Sequence, residues 1–128
     1  MIRVAIYDDS RPRRESLSSF ISLTPELEYA GSYEHCGHIL EDIAKDKPDL
    51  LLMDIEMPVV NGLEGIKLAK QHYPDLKIII QTAFDDDDKV FAALQLGAEG
   101  YILKSASVMQ IAQSIDDVSK GGASMSPS

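Results

Sequence analysis

Leu50-Leu51-Leu52-Met53 and Ile78-Ile79-Ile80 constrain this chain more than any other feature. Neither run alternates apolar with polar residues, and each is shorter than a core helix. A strand whose every side chain is apolar needs cover on both faces, and a parallel sheet flanked by helices supplies it. The rest of the chain fits that frame. Ile2–Tyr7, Leu27–Tyr33 and Gly100–Leu103 read as further short strands. Apolar stripes at helical spacing lie between and after them: Leu17, Phe20, Ile21; Ile39, Leu40, Ile43, Ala44; Leu63, Ile66, Leu68, Ala69; Val90, Phe91, Leu94; and Val108, Ile111, Ala112, Ile115, Val118. Ser10 and Pro12 suit a helix start, and Asp85 to Asp88 open the fourth helix, where acids complement the macrodipole. Gly97 and Gly121-Gly122 suit helix ends. Alternating strands and helices predict an α/β fold with helices on both faces of the sheet.

Length and composition narrow the class. The 128 residues fit one domain, and 45% hydrophobic with 26% charged residues is ordinary for a globular protein. No apolar run is long enough to span a bilayer, and MIRVAIYDDS lacks the form of a signal peptide. The expected setting is cytoplasmic, with no membrane partner. A single cysteine, Cys36, excludes an internal disulfide. His35 and His38 beside it allow a metal site by residue type; the simpler reading is a helix-start thiol with two surface histidines. The formal net charge of −9 argues against this chain gripping a nucleic-acid backbone by itself.

Ligands of open α/β sheets bind beyond the carboxyl ends of the strands. The polar residues standing there are Asp8 and Asp9 after the first strand, Asp54 after the third, Thr82 after the fourth and Lys104 after the fifth. Each acid alone fits a helix cap or a turn. Together they are three carboxylates at one edge, costly unless a cation resolves the repulsion. All-oxygen donors suit a hard ion, and few protein ligands favour Mg²⁺ over Ca²⁺. A carboxylate beside Mg²⁺ is also a nucleophile towards phosphorus. Lys104, the Thr82 hydroxyl and the backbone N–H of Ala83 supply one partner for each oxygen of a phosphoryl group on Asp54.

Asp8-Asp9, Asp54 followed by Met57-Pro58 and Asn61-Gly62, Thr82-Ala83, and the stretch Gly97 to Lys104 resemble the receiver domain of bacterial two-component response regulators, over essentially the whole chain. The resemblance implies a flavodoxin-like (CheY-like) three-layer α/β/α fold, with a five-stranded parallel sheet in the order 2-1-3-4-5 and five helices. It implies a sensor histidine kinase as phosphodonor, and a signalling domain that promotes only its own phosphorylation and dephosphorylation. By match of position, Asp54 is the phosphoacceptor. Asp9 is the direct Mg²⁺ ligand, Asp8 acts on the ion through water, and the backbone carbonyl of Glu56 is the third protein ligand. Thr82 and Lys104 sense the phosphate, and Tyr101 is the aromatic that turns inward on activation. That motion would alter the face bearing Phe91, Leu94 and Met109, where phosphorylation could govern homodimerisation.

Two positions depart from the family pattern. Ser105 follows Lys104 where proline is frequent, and Phe84 lies two residues past Thr82, where a bulky apolar ring should slow hydrolysis of the phosphoryl group. The tail Ser119 to Pro127 resembles the junction between a receiver and a LuxR-type helix-turn-helix output. The expected organisation is a receiver at 1–122 and the start of a linker at 123–128, with DNA bound only through an output domain beyond it; a stand-alone receiver is the other reading. Competing functions fare worse. A flavin carrier needs hydroxyl and N–H donors in the first loop, where Asp8-Asp9-Ser10-Arg11 stands. A phosphatase needs a second acid, and only Glu56 is spaced for it. A receiver that works without phosphate need not keep every acceptor-site residue, as this chain does.

Overall fold

β3 (Leu50–Asp54) is buried at every position, as its unbroken apolar run requires. The structure, a computed structural model, describes residues 1–57, 61–83, 87–121 and 124–125. Around β3 are β1 (Ile2–Tyr7), α1 (Arg11–Leu23), β2 (Leu27–Tyr33), α2 (Ile39–Asp46), α3 (Gly62–His72), β4 (Lys77–Thr82), α4 (Asp87–Gln95), β5 (Gly100–Leu103) and α5 (Val108–Ser119). All strand pairings are parallel, and the sheet order is the expected 2-1-3-4-5. A two-residue β6 (Ser124–Met125) pairs outside β5, with Gly100 opposite Ser124. Composition marked those two residues as linker; their strand character comes from a neighbour distant in sequence.

The two-residue side-chain period divides the core cleanly. Leu51, Met53, Ile78 and Ile80 join Ile39, Ile43, Ile66, Ala69, Val90 and Ala93 on the face covered by α2, α3 and α4. Leu50, Leu52 and Ile79 join Val4, Ile6, Leu17, Ile21, Ile111, Ile115 and Val118 on the face covered by α1 and α5. Every apolar residue of a central strand therefore has a helix to meet. That explains why these runs do not alternate.

Local chemistry fixes the helix starts. Ser10 caps α1 by accepting from the Arg13 N–H at 3.4 Å, with Pro12 in the first turn. Asn61 caps α3, accepting from Glu64 N–H at 3.0 Å. Ser107 and Gln110 form a reciprocal capping box on α5. Gly97 takes φ +112° after α4, a conformation that L side chains rarely adopt. α4 is described from Asp87 on; Phe84, Asp85, Asp86 and Pro58 lie outside the described residues. Cys36 is buried just before α2, its Sγ 3.5 Å from Met53 Sδ, which makes it a core residue; His38 is exposed and His35 half-buried. Among the described residues no helix is long and apolar enough to cross a membrane, and no peptide bond is cis, so Lys104–Ser105 is trans.

Candidate functional site

The carboxyl ends of β1, β3, β4 and β5 converge because parallel strands all point the same way. Tyr7 lies opposite Met53, Asp54 opposite Gln81, and Thr82 opposite Leu103. The residues following or ending those strands therefore share one edge. One carboxylate oxygen from each of Asp8, Asp9 and Asp54 lies within 4.8 Å of the others. Asp8 and Asp54 are buried, whereas Asp9 is open to solvent.

Lys104 enters the same cluster. Its Nζ donates to Asp54 Oδ2 at 2.9 Å and lies 3.4 Å from Asp8 Oδ2. Its backbone N–H donates to the Thr82 carbonyl at 2.8 Å, which ties the end of β5 to the end of β4. Glu56 N–H donates to Asp54 Oδ1 at 3.0 Å, so both oxygens of the Asp54 carboxylate accept a hydrogen bond. Asp8 Oδ1 accepts from Ser10 N–H at 2.9 Å. Its other oxygen is one of two buried side-chain atoms without a hydrogen-bond partner among the described residues. The neighbouring cations at 3.4 and 3.5 Å satisfy it by charge, not by hydrogen-bond geometry.

Electrostatics follow from that packing. Burial pushes the Asp54 carboxyl above its ordinary value and outweighs the Lys104 and Glu56 hydrogen bonds, which favour the anion; the nearby Asp8 charge pushes the same way. Burial works against the Lys104 charge too. There the hydrogen bond and negative charge of Asp54, reinforced by Asp8, prevail and hold the ammonium above its usual value.

A glycine shapes the wall behind Asp54. Gly62 opens α3 directly against the chain leaving β3, and its N–H donates to the Ile55 carbonyl at 3.2 Å. A Cβ at this position would stand 2.5 Å from Ile55 Cα, and closer still to the Asp54 carbonyl oxygen. Only glycine admits that approach.

Thr82 is buried at the end of β4, and Ala83 follows it at the surface. The Glu56 side chain turns away to pair with Lys89 of α4 at 2.7 Å. Tyr101 lies opposite Ile80, half-buried against the apolar cluster under α2 to α4. Two residues that the sequence reading passed over are at the centre. Arg13 Nε and Nη2 donate to Gln81 Oε1 at 3.0 and 2.5 Å, and Nη1 donates to the Lys104 carbonyl at 3.1 Å. Gln81 is wholly buried at the end of an apolar strand. An amide in that place requires a partner; the glutamine is the one sign in the sequence of such a contact, and it does not say which residue supplies it.

The chain is similar to known proteins in sequence and in fold. Residues 4–116 match the family model of the response regulator receiver domain. The chain is 35% identical over 126 residues to the transcriptional regulatory protein DegU of Brevibacillus brevis, covering 98% of this chain and 53% of that protein. It is 37% identical over 127 residues to the transcriptional regulatory protein LnrK of Bacillus subtilis (strain 168), covering 99% of this chain and 58% of that protein. The chain thus spans little more than half the length of these relatives. Among solved structures, a two-component response regulator of the LuxR family from Aurantimonas sp. SI85-9A1 superposes with a TM-score of 0.92 at 25% identity, covering 99% of this chain and 91% of that one.

Proposed function

This chain belongs to the response regulator receiver domain family, and from that premise we propose that Asp54 accepts a phosphoryl group from a sensor histidine kinase. The observation that carries the reading is the meeting of Asp8, Asp9 and Asp54 with the Lys104 ammonium at one sheet edge. In the transfer, an Asp54 carboxylate oxygen bonds to the phosphorus of a phosphohistidine. The P–N bond breaks, and the departing imidazole nitrogen takes up a proton from solvent.

Asp8, Asp9, Asp54 and the backbone carbonyl of Glu56 would hold Mg²⁺. The fit is supported by an all-oxygen donor set and by the Asp8 Oδ2 atom, buried without a hydrogen bond. Bound there, the ion supplies charge neutralisation for the phosphoryl oxygens. Lys104 exchanges its hydrogen bond with Asp54 Oδ2 for one to a phosphoryl oxygen. The Thr82 hydroxyl and the Ala83 N–H take the other two. Thr82 moves to do so, and Tyr101 turns from its half-buried position into the space released. The result is a shift between two packings of the α4 and β5 face. Phe91 of α4, 61% exposed, gives that face an apolar surface on which two phosphorylated copies pair, whereas Met109, expected beside it, lies along a groove with Ile2 and Thr24 to Leu27.

Residues 1–122, with the β6 pair Ser124–Met125 added at the sheet edge, then form the receiver, which leads to an output domain of the LuxR type through which the whole protein binds DNA and controls transcription in the cytoplasm. On this reading the domain is a signalling switch, promoting only its own phosphorylation and dephosphorylation. Intact mass after incubation with acetyl phosphate and Mg²⁺ tests the acceptor. Wild type gains one phosphoryl group and Asp54→Asn gains none; equal labelling of both would defeat the assignment.

A further inference from the structure

Arg13 brings a second cation to the acidic cluster and is held there. Three of its N–H groups are committed, two to Gln81 Oε1 and one to the Lys104 carbonyl. Its Nε lies 3.5 Å from the wholly buried Asp8 Oδ2, and the side chain is only 20% exposed. A long, flexible side chain does not stay in one place unless bonds fix it. Here the fixing partner is itself unusual: Gln81 ends the apolar run of β4, is wholly buried, and has no hydrogen-bond partner at Nε2 among the described residues. An apolar residue would fill that strand position without leaving an amide unsatisfied. What the glutamine supplies is the grip on Arg13.

The consequence is electrostatic. Asp8, Asp9 and Asp54 bring three negative charges, and Lys104 and Arg13 bring two positive ones. The surplus facing an incoming cation is one negative charge with Arg13 in place and two without it. We propose that Arg13 is a resident counter-cation that weakens Mg²⁺ binding at Asp8, Asp9 and Asp54. The domain's metal occupancy, and with it its readiness to accept a phosphoryl group, then follows the Mg²⁺ concentration instead of saturating early. The inference rests on the Mg²⁺ site proposed above. A unit charge within several ångströms of a divalent ion changes its binding by about tenfold even at the dielectric constant of water.

The test is a calorimetric Mg²⁺ titration of the 128-residue chain, with thermal unfolding recorded with and without the metal. Arg13→Gln is expected to bind Mg²⁺ about tenfold more tightly than wild type. It should also melt lower without metal and gain more from its addition. Arg13→Lys keeps the charge and loses the fork, so its affinity should stay near that of wild type. Arg13→Met is titrated in parallel, with the same expectation as Arg13→Gln, in case the latter does not fold. Unchanged or weaker Mg²⁺ binding in the neutral variants would overturn the proposal, as would an Arg13→Lys variant that behaves like them. Asp9→Asn separates the two ideas. If it binds Mg²⁺ as wild type does, the metal site itself is elsewhere and both readings fall; if it loses affinity while the Arg13 variants do not change, only the counter-cation fails.

Discussion

Replacing Gly62 by alanine sets two known effects against each other. Gly62 is the first residue of α3, where alanine is the better helix former by at most about 1 kcal/mol. If propensity decided the outcome, Gly62→Ala would stabilise the domain. The added Cβ, however, would sit 2.5 Å from Ile55 Cα and 3.0 Å from the Asp54 carbonyl carbon. Both are backbone atoms of the segment leaving β3, and no rotamer change relieves them. Over-packing of this kind costs about 1–3 kcal/mol, and more when backbone must move. With only backbone atoms in the way the upper end applies, and the net loss is about 2 kcal/mol. At roughly 3–5 °C per kcal/mol for a domain of this size, the midpoint should fall by roughly 6–10 °C. The displaced segment carries the Asp54 carbonyl and the Glu56 N–H that holds Asp54 Oδ1. A shift of about 1 Å there should slow labelling by acetyl phosphate by at least about tenfold. Differential scanning calorimetry and a phosphorylation time course measure both. A variant that melts at or above the wild-type temperature would show that the helix start accommodates the methyl group, and would refute the packing argument.

Other consequences are open to similar measurement. Glu99 accepts from Lys70 Nζ at 2.7 and 3.0 Å and from the Ile78 N–H at 2.8 Å, locking α3 to the loop before β5; Glu99→Ala should cost about 1–3 kcal/mol in urea unfolding, and no loss would show the network to be idle. Because burial raises the Asp54 carboxyl above its ordinary 3.8, the folded state retains a proton that the unfolded chain has released. Its contribution to stability is therefore present below 3.8 and lost as pH rises through the higher folded value. Melting curves of metal-free Asp54→Asn should lack that part of the decline, and an unchanged pH slope would contradict it. Burial pushes the Cys36 thiol up to about 12, so iodoacetamide at neutral pH should modify it only on unfolding; rapid labelling of the native protein would place the thiol at the surface.

Much of this fold was legible because its constraints are local. Leu50 to Met53 and Ile78 to Ile80 announce strands covered twice, and the polar residue ending each run announces the site edge. Asp8, Asp9, Asp54 and Lys104 meet because parallel strands carry their ends to one side, which topology alone dictates. Arg13 and β6 were hidden for the opposite reason. Arg13 reads as one of several charges on the first turn of an exposed helix, and nothing in its neighbourhood reveals that it bonds Gln81, 68 residues away. Ser124 and Met125 have no strand propensity worth naming, and become strand only where the β5 edge accepts them. Cys36 shows the same limit at smaller scale: two flanking histidines suggest a metal, whereas packing against Met53 makes the thiol a core residue.

The central claim is that one Mg²⁺ and one phosphoryl group share the acids at this edge. A crystal structure of the chain with Mg²⁺ and beryllofluoride measures that most directly. The account requires beryllium bonded to an Asp54 carboxylate oxygen, a single Mg²⁺ beside it on Asp9 and Asp54, and Lys104 Nζ turned from the carboxylate to a fluorine. Beryllofluoride on another carboxylate, or a metal bound away from Asp8, Asp9 and Asp54, would contradict it.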